Sequence, residues 1–375
     1  MKICYIADTA SIHTRKWVKF FAERNHETHL ISYKFWADAK VDNVSLYVLR
    51  AICPQMAKLS FAPNLVSNLI QLRGLLKRIK PDILHAHYVT DSGLLAALSG
   101  FHPFVMTAWG SDVLVLPQEF RRWRWIVKYV VKRADLLTCD AEHMKKKLIE
   151  LGAYHQKIRI VNFGVDVAEF DPDINGEKIR EKLGLASSPV VISLRSLEPV
   201  YDIESLISSI SLVSKKIPEA KFIIAGRGSQ EFMLKELSKS LGILENTKFV
   251  GLIPYEELPQ YLRAAEIYVS TSLSDAGLAA STAEAMACKL PVVITDFGDN
   301  RDWVKDGEGG FIIPTKNPAI LAEKIVYLLQ NQDVRRRFGK INRRVIEERN
   351  NYQKEMAKME SLYNQMIDKY KSNKF

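Results

Sequence analysis

Short apolar runs and helical segments alternate along nearly the whole chain, and this alternation limits its fold more than any other feature. KICYIA reads as a buried strand, and a loop, DTASIHT, leads to a helical pattern at about 15–25. ETHLISY and VSLYVL are further strands; a helix at 64–79 precedes the strand DILHAH, and one near 91–99 precedes PFVMTA. Helices at about 119–133 and 141–151 flank DLLTC, and IRIV closes the first series. Gly, Pro and acids in NFGVDVAEFDPD, 162–173, break the rhythm and mark a junction. The second series runs VVISL, 203–215, KFIIAG, 230–241, TKFVG, 256–264, EIYVS, 281–288, PVVIT, GFIIP and 318–330, before one charged helix from roughly 332 to 371. Apolar strands separated by helices imply parallel sheets covered on both faces. The expected fold is α/β: two Rossmann-like, doubly wound domains with an interdomain cleft, to which the carboxyl ends of both sets of strands supply ligand contacts.

The 375 residues suffice for two domains, and 47% hydrophobic with 26% charged residues is the balance of a globular chain. No stretch approaches the roughly 18 apolar residues of a membrane span. MKICYIADTA lacks the apolar region and cleavage site of a signal peptide, so a cytoplasmic location is expected. Cys4, Cys53, Cys139 and Cys288 are scattered, with no CxxC pair, and read as reduced thiols rather than zinc or disulfide sites. The net charge is +10, of which residues 1–170 hold +9 and the remainder +1. The first half therefore suits an anionic partner or carries a plain basic surface. RRWRWIVKYVVKR, 121–133, has six basic residues and no acid. On a helix, Arg121, Arg124, Lys128 and Lys132 form one stripe flanked by Trp125 and Tyr129, while Ile126, Val127, Val130 and Val131 can face the core. Such a face suits an anionic lipid surface, with a solvated helix face as the plain alternative. LIQLRGLLKRIK, 69–80, has the same character. No nucleic-acid-binding module pattern occurs, so a nucleic-acid partner is not expected.

Several residues sit where chemistry is done in such folds. Arg195 follows the first strand of the second series, a place that suits phosphate; pairing with Glu198 is its structural alternative. Gly226 and Gly228 bracket Arg227 between a strand and a helix. The absence of GxxxxGK[ST] excludes a P-loop enzyme, and the lack of GxGxxG after the first strand of either series argues against a nicotinamide dehydrogenase. His85 and His87 lie two apart on one strand and share a face, but no third ligand completes a metal site, so structural histidines are the plainer reading. His13 and Asp112 lie in loops after strands. In SDAGLAASTAEAMA, 274–287, Ser281 and Glu284 have capping-box spacing. An acid and small residues at a helix start also suit a polar ligand.

In this order, ISLRSLEP, KFIIAGRGS, KFVGLIPYEELPQYLRAAEIYVSTS, AEAMACKLPVVITD and WVKDGEGGFIIP, with DILHAH and GVDVAEFDP before them, resemble the family 4 retaining glycosyltransferases of the GT-B fold. EAMA, then KLPVV, then a downstream DG..G is the specific combination. The resemblance implies an acceptor domain at 1–168, a nucleotide-sugar donor domain at 169–349, and a terminal helix, about 350–375, that packs back on the first domain. It also implies that Glu284 holds the donor ribose, that Arg195 faces the donor phosphates, and that His87 lies close to the reacting sugar. Tyr201, Gly226, Arg227, Ile253, Gly277 and Leu278 complete the expected donor site, and His13 and Asp112 the acceptor side.

The chain departs from the family pattern at three places. Ala276 stands where the family has its first glutamate, with Asp275 the nearest acid and a candidate substitute; Tyr201-Asp202 replaces a Lys-Gly; and Ala108-Trp109-Gly110 replaces the His-Gly of a Thr-His-Gly. The resemblance implies a hexosyltransferase that uses a nucleotide-sugar, a UDP-sugar first, with retention, and takes a saccharide or polyprenyl-linked acceptor in cell-surface polysaccharide or glycoconjugate synthesis. The enzyme is expected at the cytoplasmic face of the membrane. Arg195 and helix dipoles would stabilise the leaving group, so neither metal nor other cofactor is expected. A nucleotide-sugar 2-epimerase and a non-catalytic nucleotide-sugar-binding partner of another transferase are the alternative readings.

Overall fold

A strand covered on both faces has apolar residues at successive positions, and KICYI meets that condition: Ile3, Cys4, Tyr5 and Ile6 are all fully buried. The computed structural model describes residues 1–33, 41–50, 61–275 and 277–372; Cys53 and Ala276 lie outside them. It divides into two compact units, Met1–Phe163 with Glu355–Phe375, and Gly164–Lys354.

Among the described residues of the first unit, seven strands run parallel: β1 (Lys2–Ile6), β2 (Glu27–Ser32), β3 (Val44–Val48), β4 (Ile83–His87), β5 (Phe104–Thr107), β6 (Leu136–Cys139) and β7 (Ile158–Ile160). Their order is β3-β2-β1-β4-β5-β6-β7. Ile3 pairs with Thr28 on one side and Ile83 on the other. The order turns back between β1 and β4, so the chains leaving these two strands part in opposite directions. That opens a crevice at their carboxyl ends.

The second unit repeats the plan with β8 (Val190–Ser193), β9 (Lys221–Ala225), β10 (Thr247–Gly251), β11 (Ile267–Ser270), β12 (Val292–Thr295) and β13 (Gly310–Ile313). Among the described residues their order is β10-β9-β8-β11-β12-β13, all parallel, with the switch between β8 and β11. Successive residues feed opposite faces. Val190, Ile192 and Ile223 join one core cluster, while Val191, Phe222 and Ile224 join the other. Each such fully buried side chain contributes about 1.5–3 kcal/mol.

The terminal segment differs from the single helix read at 332–371. It forms two helices, Gln332–Arg349 and Tyr352–Ser372. The break comes from strand-like pairing with the start of the second unit: the Val165 amide donates to Asn350 at 2.8 Å, and the Tyr352 amide donates to Val165 at 3.0 Å. The last helix belongs to the first unit and buries Met356, Met359, Tyr363 and Ile367 at helical spacing. Its Glu355 accepts from the Asn162 amide at 2.7 Å. The chain passes between units at Phe163–Gly164 and at Lys354–Glu355, a few residues from the 168–169 and about 350 that the resemblance implies. A further helix, Glu177–Leu183, lies where the sequence pattern predicts no element.

Candidate active-site residues in the two units

In the second unit the loop after β8 brings Arg195 back into the protein, 8% exposed. The loop after β9 makes this possible by crossing it closely. A Cβ on Gly226, which has φ +134°, would lie 2.5 Å from the Arg195 carbonyl oxygen, and one on Gly228 would fall on the Leu197 carbonyl. Backbone bonds from Leu197 to Arg227 (3.0 Å) and from Gln230 to Leu197 (2.9 Å) lock the two loops together. The glycine pair thus has a backbone reason, and that reason positions the arginine.

Glu198 does not pair with Arg195. Both its oxygens are taken by Ser229, at 2.8 Å from the amide and 2.5 Å from the hydroxyl. Arg195 donates instead from Nη2 to Asp275 at 2.5 Å and to Ser272 Oγ at 3.4 Å. The Tyr201 ring lies under the guanidinium, 4.4 Å from its carbon. Nε is buried without a partner. Burial opposes the guanidinium charge, but Asp275, Tyr268 and Tyr201 together outweigh it and hold the group above its usual range.

The helix expected at 281–288 spans Ala280–Ala287, and its N-cap is Ala279, with no side-chain cap. The capping-box reading of Ser281 and Glu284 is therefore corrected. Ser281 lies inside the helix and shares a 2.8 Å hydrogen bond with the buried Tyr268 hydroxyl. Glu284, partly buried, faces Tyr255; burial first and the Glu284 charge second push that phenol up. Tyr255 itself donates to Glu169 at 3.1 Å. Ile253 and Leu278 pack, partly buried, on the same apolar cluster as Tyr255, Gly277 is buried beside Leu278, and Arg227 is exposed. Ser272, Tyr255 and Tyr268 escaped the sequence reading because each acts through a partner distant in the chain.

In the first unit His85 and His87 share a face of β4, with ring centroids 4.6 Å apart, and have opposite environments. His85 is fully used: Nδ1 bonds the Tyr363 hydroxyl of the last helix, and Nε2 bonds Thr107 Oγ1 at 2.6 Å. His87 is 1% exposed, and neither of its ring nitrogens has a partner. Its ring is walled by Trp17 (5.0 Å), Trp109 (5.6 Å) and Tyr5 (5.8 Å). Outside them His13, partly buried, packs on Phe163 at 4.6 Å and edge-on to Trp109 at 5.8 Å. The Trp109 indole nitrogen is also buried without a partner. Burial first and His13 second lower the His87 pKa to about 3; burial first and Lys16 second lower His13 to about 4. Both rings are neutral at ordinary pH.

Asp112 is wholly buried, and its carboxylate accepts from the amides of Val89 (2.7 Å), Gly110 (2.9 Å) and Trp109 (3.1 Å). It holds the loop that carries Trp109 rather than presenting a free acid. Burial raises its pKa to about 6 against the pull of those amides. On the helix Arg121–Arg133, Val127, Val130 and Val131 are buried, Arg121 and Arg124 are exposed, and Lys128 and Tyr129 are partly covered. Trp125 is 70% exposed. Among the described residues no helix is long and apolar enough to cross a membrane. Cys4, Cys139 and Cys288 are buried free thiols, and no group of three His, Cys, Asp or Glu among the described residues could hold a metal ion.

Two family models match the chain, glycosyl transferases group 1 over residues 175–345 and glycosyl transferase 4-like over residues 2–141. The putative glycosyltransferase EpsD of Bacillus subtilis is 27% identical over 331 residues, 83% of this chain and 84% of its own length. The GDP-mannose-dependent alpha-(1-6)-phosphatidylinositol monomannoside mannosyltransferase of Mycolicibacterium smegmatis is 27% identical over 230 residues, 59% of each chain. Among solved structures, that of Anabaena HepE in complex with UDP superposes with a TM-score of 0.80 at 17% identity, over 97% of this chain and 100% of that one, and supports the GT-B fold. Two switch-point crevices on parallel sheets and two adjoining family matches lead to one conclusion: the chain belongs to the group 1, family 4-like glycosyltransferases.

Proposed function

We propose that this glycosyltransferase takes its sugar from a nucleoside-diphosphate donor, a UDP-sugar first, and passes it with retention to a saccharide carried on lipid at an anionic membrane surface. The observation that carries the reading is the buried Arg195 at the carboxyl end of β8, held by Asp275 and Ser272 of the loop that leads to the helix bearing Glu284. A cation beside a helix N-terminus suits a diphosphate, and a carboxylate one turn on suits ribose hydroxyls. Gly226, Arg227 and Gly277 border this site, with Ile253 and Leu278 as its apolar wall. His87, with His13 beside it, positions the sugar through neutral ring nitrogens. The acceptor hydroxyl attacks the anomeric carbon from the face of the leaving group as the bond to the diphosphate breaks, and its proton passes to the departing phosphate oxygen, whose charge Arg195 and the helix dipole stabilise without a metal. The basic helix Arg121–Arg133, with Trp125 exposed, supports the membrane acceptor. A GDP-sugar is the second reading, favoured by the mannosyltransferase relative.

Calorimetric titration of wild type and Glu284→Ala with UDP, GDP and NAD tests the donor assignment. One nucleoside diphosphate should bind, and the variant should lose about tenfold, roughly 1.4 kcal/mol. Binding of none of the three, or unchanged affinity in the variant, would sink the assignment.

A further inference from the structure

Arg195 is already engaged by an anion of the protein itself. Its Nη2 lies 2.5 Å from Asp275, and the two side chains are 9% and 12% exposed. Tyr201 closes one face of the guanidinium. Nε is buried and has no partner. The turn that supplies Tyr201 continues into Asp202, one of whose carboxylate oxygens is also buried without a partner. The resemblance places a lysine where Tyr201 stands, so this site has exchanged a cation for a ring and gained an acid next to it. A diphosphate brings at least two negative charges to a guanidinium that already holds a carboxylate.

We infer that Asp275 is an internal competitor for the donor's diphosphate, holding Arg195 in the unliganded protein and surrendering it when the donor binds. The inference rests on the reading of Arg195 as the phosphate cation. The Asp275 carboxylate and a diphosphate cannot both be compensated by one desolvated guanidinium, and an unpaired buried charge is costly. Asp275 is therefore displaced to solvent. The exchange explains how a site with a single buried arginine avoids leaving that charge unpaired when empty. It also sets donor affinity below what the same arginine would give alone. If Asp275 instead oriented Arg195 for the phosphate, its removal would weaken binding, so the sign of the effect separates the two roles.

The test is calorimetry with UDP, and GDP in parallel, on the full chain: wild type, Asp275→Asn and Ser272→Ala. Asp275→Asn keeps the shape, removes the charge, and should bind the nucleotide at least tenfold more tightly, about 1.4 kcal/mol. Ser272→Ala removes a neutral contact to the same Nη2 and should not tighten binding. Asp275→Ser carries the same expectation as the asparagine variant should that one fail to fold, with thermal melts reporting the fold of each. Wild-type binding that is unchanged or weakened on loss of the Asp275 charge overturns the inference while leaving the donor site standing. Binding of neither nucleotide to wild type or variants overturns the donor-site reading and the inference together.

Discussion

Lowering the pH should destabilise the first unit chiefly through the histidines at the end of β4, and the size of the effect follows from burial. His87 sits among Trp17, Trp109 and Tyr5, with no acceptor for either nitrogen, and its pKa is lowered from 6.5 to about 3, first by burial and then by His13. In the unfolded chain the same ring titrates at its ordinary value. Between those two pKa values the unfolded state binds more protons, so stability is fully present above pH 6.5 and is lost progressively down to about pH 3. At pH 5 the loss from His87 is about 2 kcal/mol relative to neutral pH, from the ratio of the two binding polynomials. Urea unfolding of wild type and His87→Phe at about pH 7.5 and pH 5, followed by tryptophan fluorescence, measures it. The variant should lose about 2 kcal/mol less than wild type over this interval. A residual slope should persist from His85, lowered by burial and by His87, and from His13, lowered to about 4. Equal pH slopes in the two proteins, or a His87 ring resonance titrating near 6.5, would refute the reasoning.

Two further outcomes follow from backbone crossing and surface charge. Gly228→Ala drives a methyl into the Leu197 carbonyl, so it should cost about 1–3 kcal/mol in the second unit and weaken nucleotide binding with it; a melt and a UDP titration that both match wild type would count against the two-loop account of Arg195. Flotation with vesicles containing phosphatidylglycerol should recover the wild type, less so as salt rises, and should recover Arg121→Gln/Arg124→Gln/Trp125→Ala at least tenfold less, at about 1 kcal/mol for each cation near the surface. Recovery insensitive to both salt and the triple change would remove this helix from the membrane reading.

The inner strands were legible because each is a short apolar run buried on both faces: Ile3–Ile6, Leu84–Ala86, Val190–Ile192 and Val292–Ile294 need no partner to be recognised. Arg195 and the glycines after β9 were legible as residues at strand ends. What Arg195 touches was not. Its nearest acid in sequence, Glu198, is drawn off by Ser229, whereas Asp275 arrives from the loop after β11. Ser281 showed a capping spacing that local pattern could not distinguish from a hydroxyl directed at Tyr268. The break at Asn350 has no proline or glycine to announce it, since it is imposed by Val165, far away in the chain. His85 and His87 lie two apart on one strand and share a face, with Ala86 between them. Only Tyr363 and Thr107, brought by the last helix and by β5, make one of them structural.

The first unit is interrupted by the whole of the second. Tyr363, which bonds His85, and Glu360, which holds His26 at 2.7 Å, are synthesised only after residues 164–354. During translation the second unit, contiguous in sequence, has every partner it needs while the first still lacks the helix that covers Phe21 and Tyr5. The unit that begins first is thus the one completed last, and closure of a loop of this length adds to the barrier for folding it. A chain stopped at Lys354 would leave an apolar face of the first sheet and the Nδ1 of His85 without their cover. Such a species is the one most exposed to aggregation and to proteolysis.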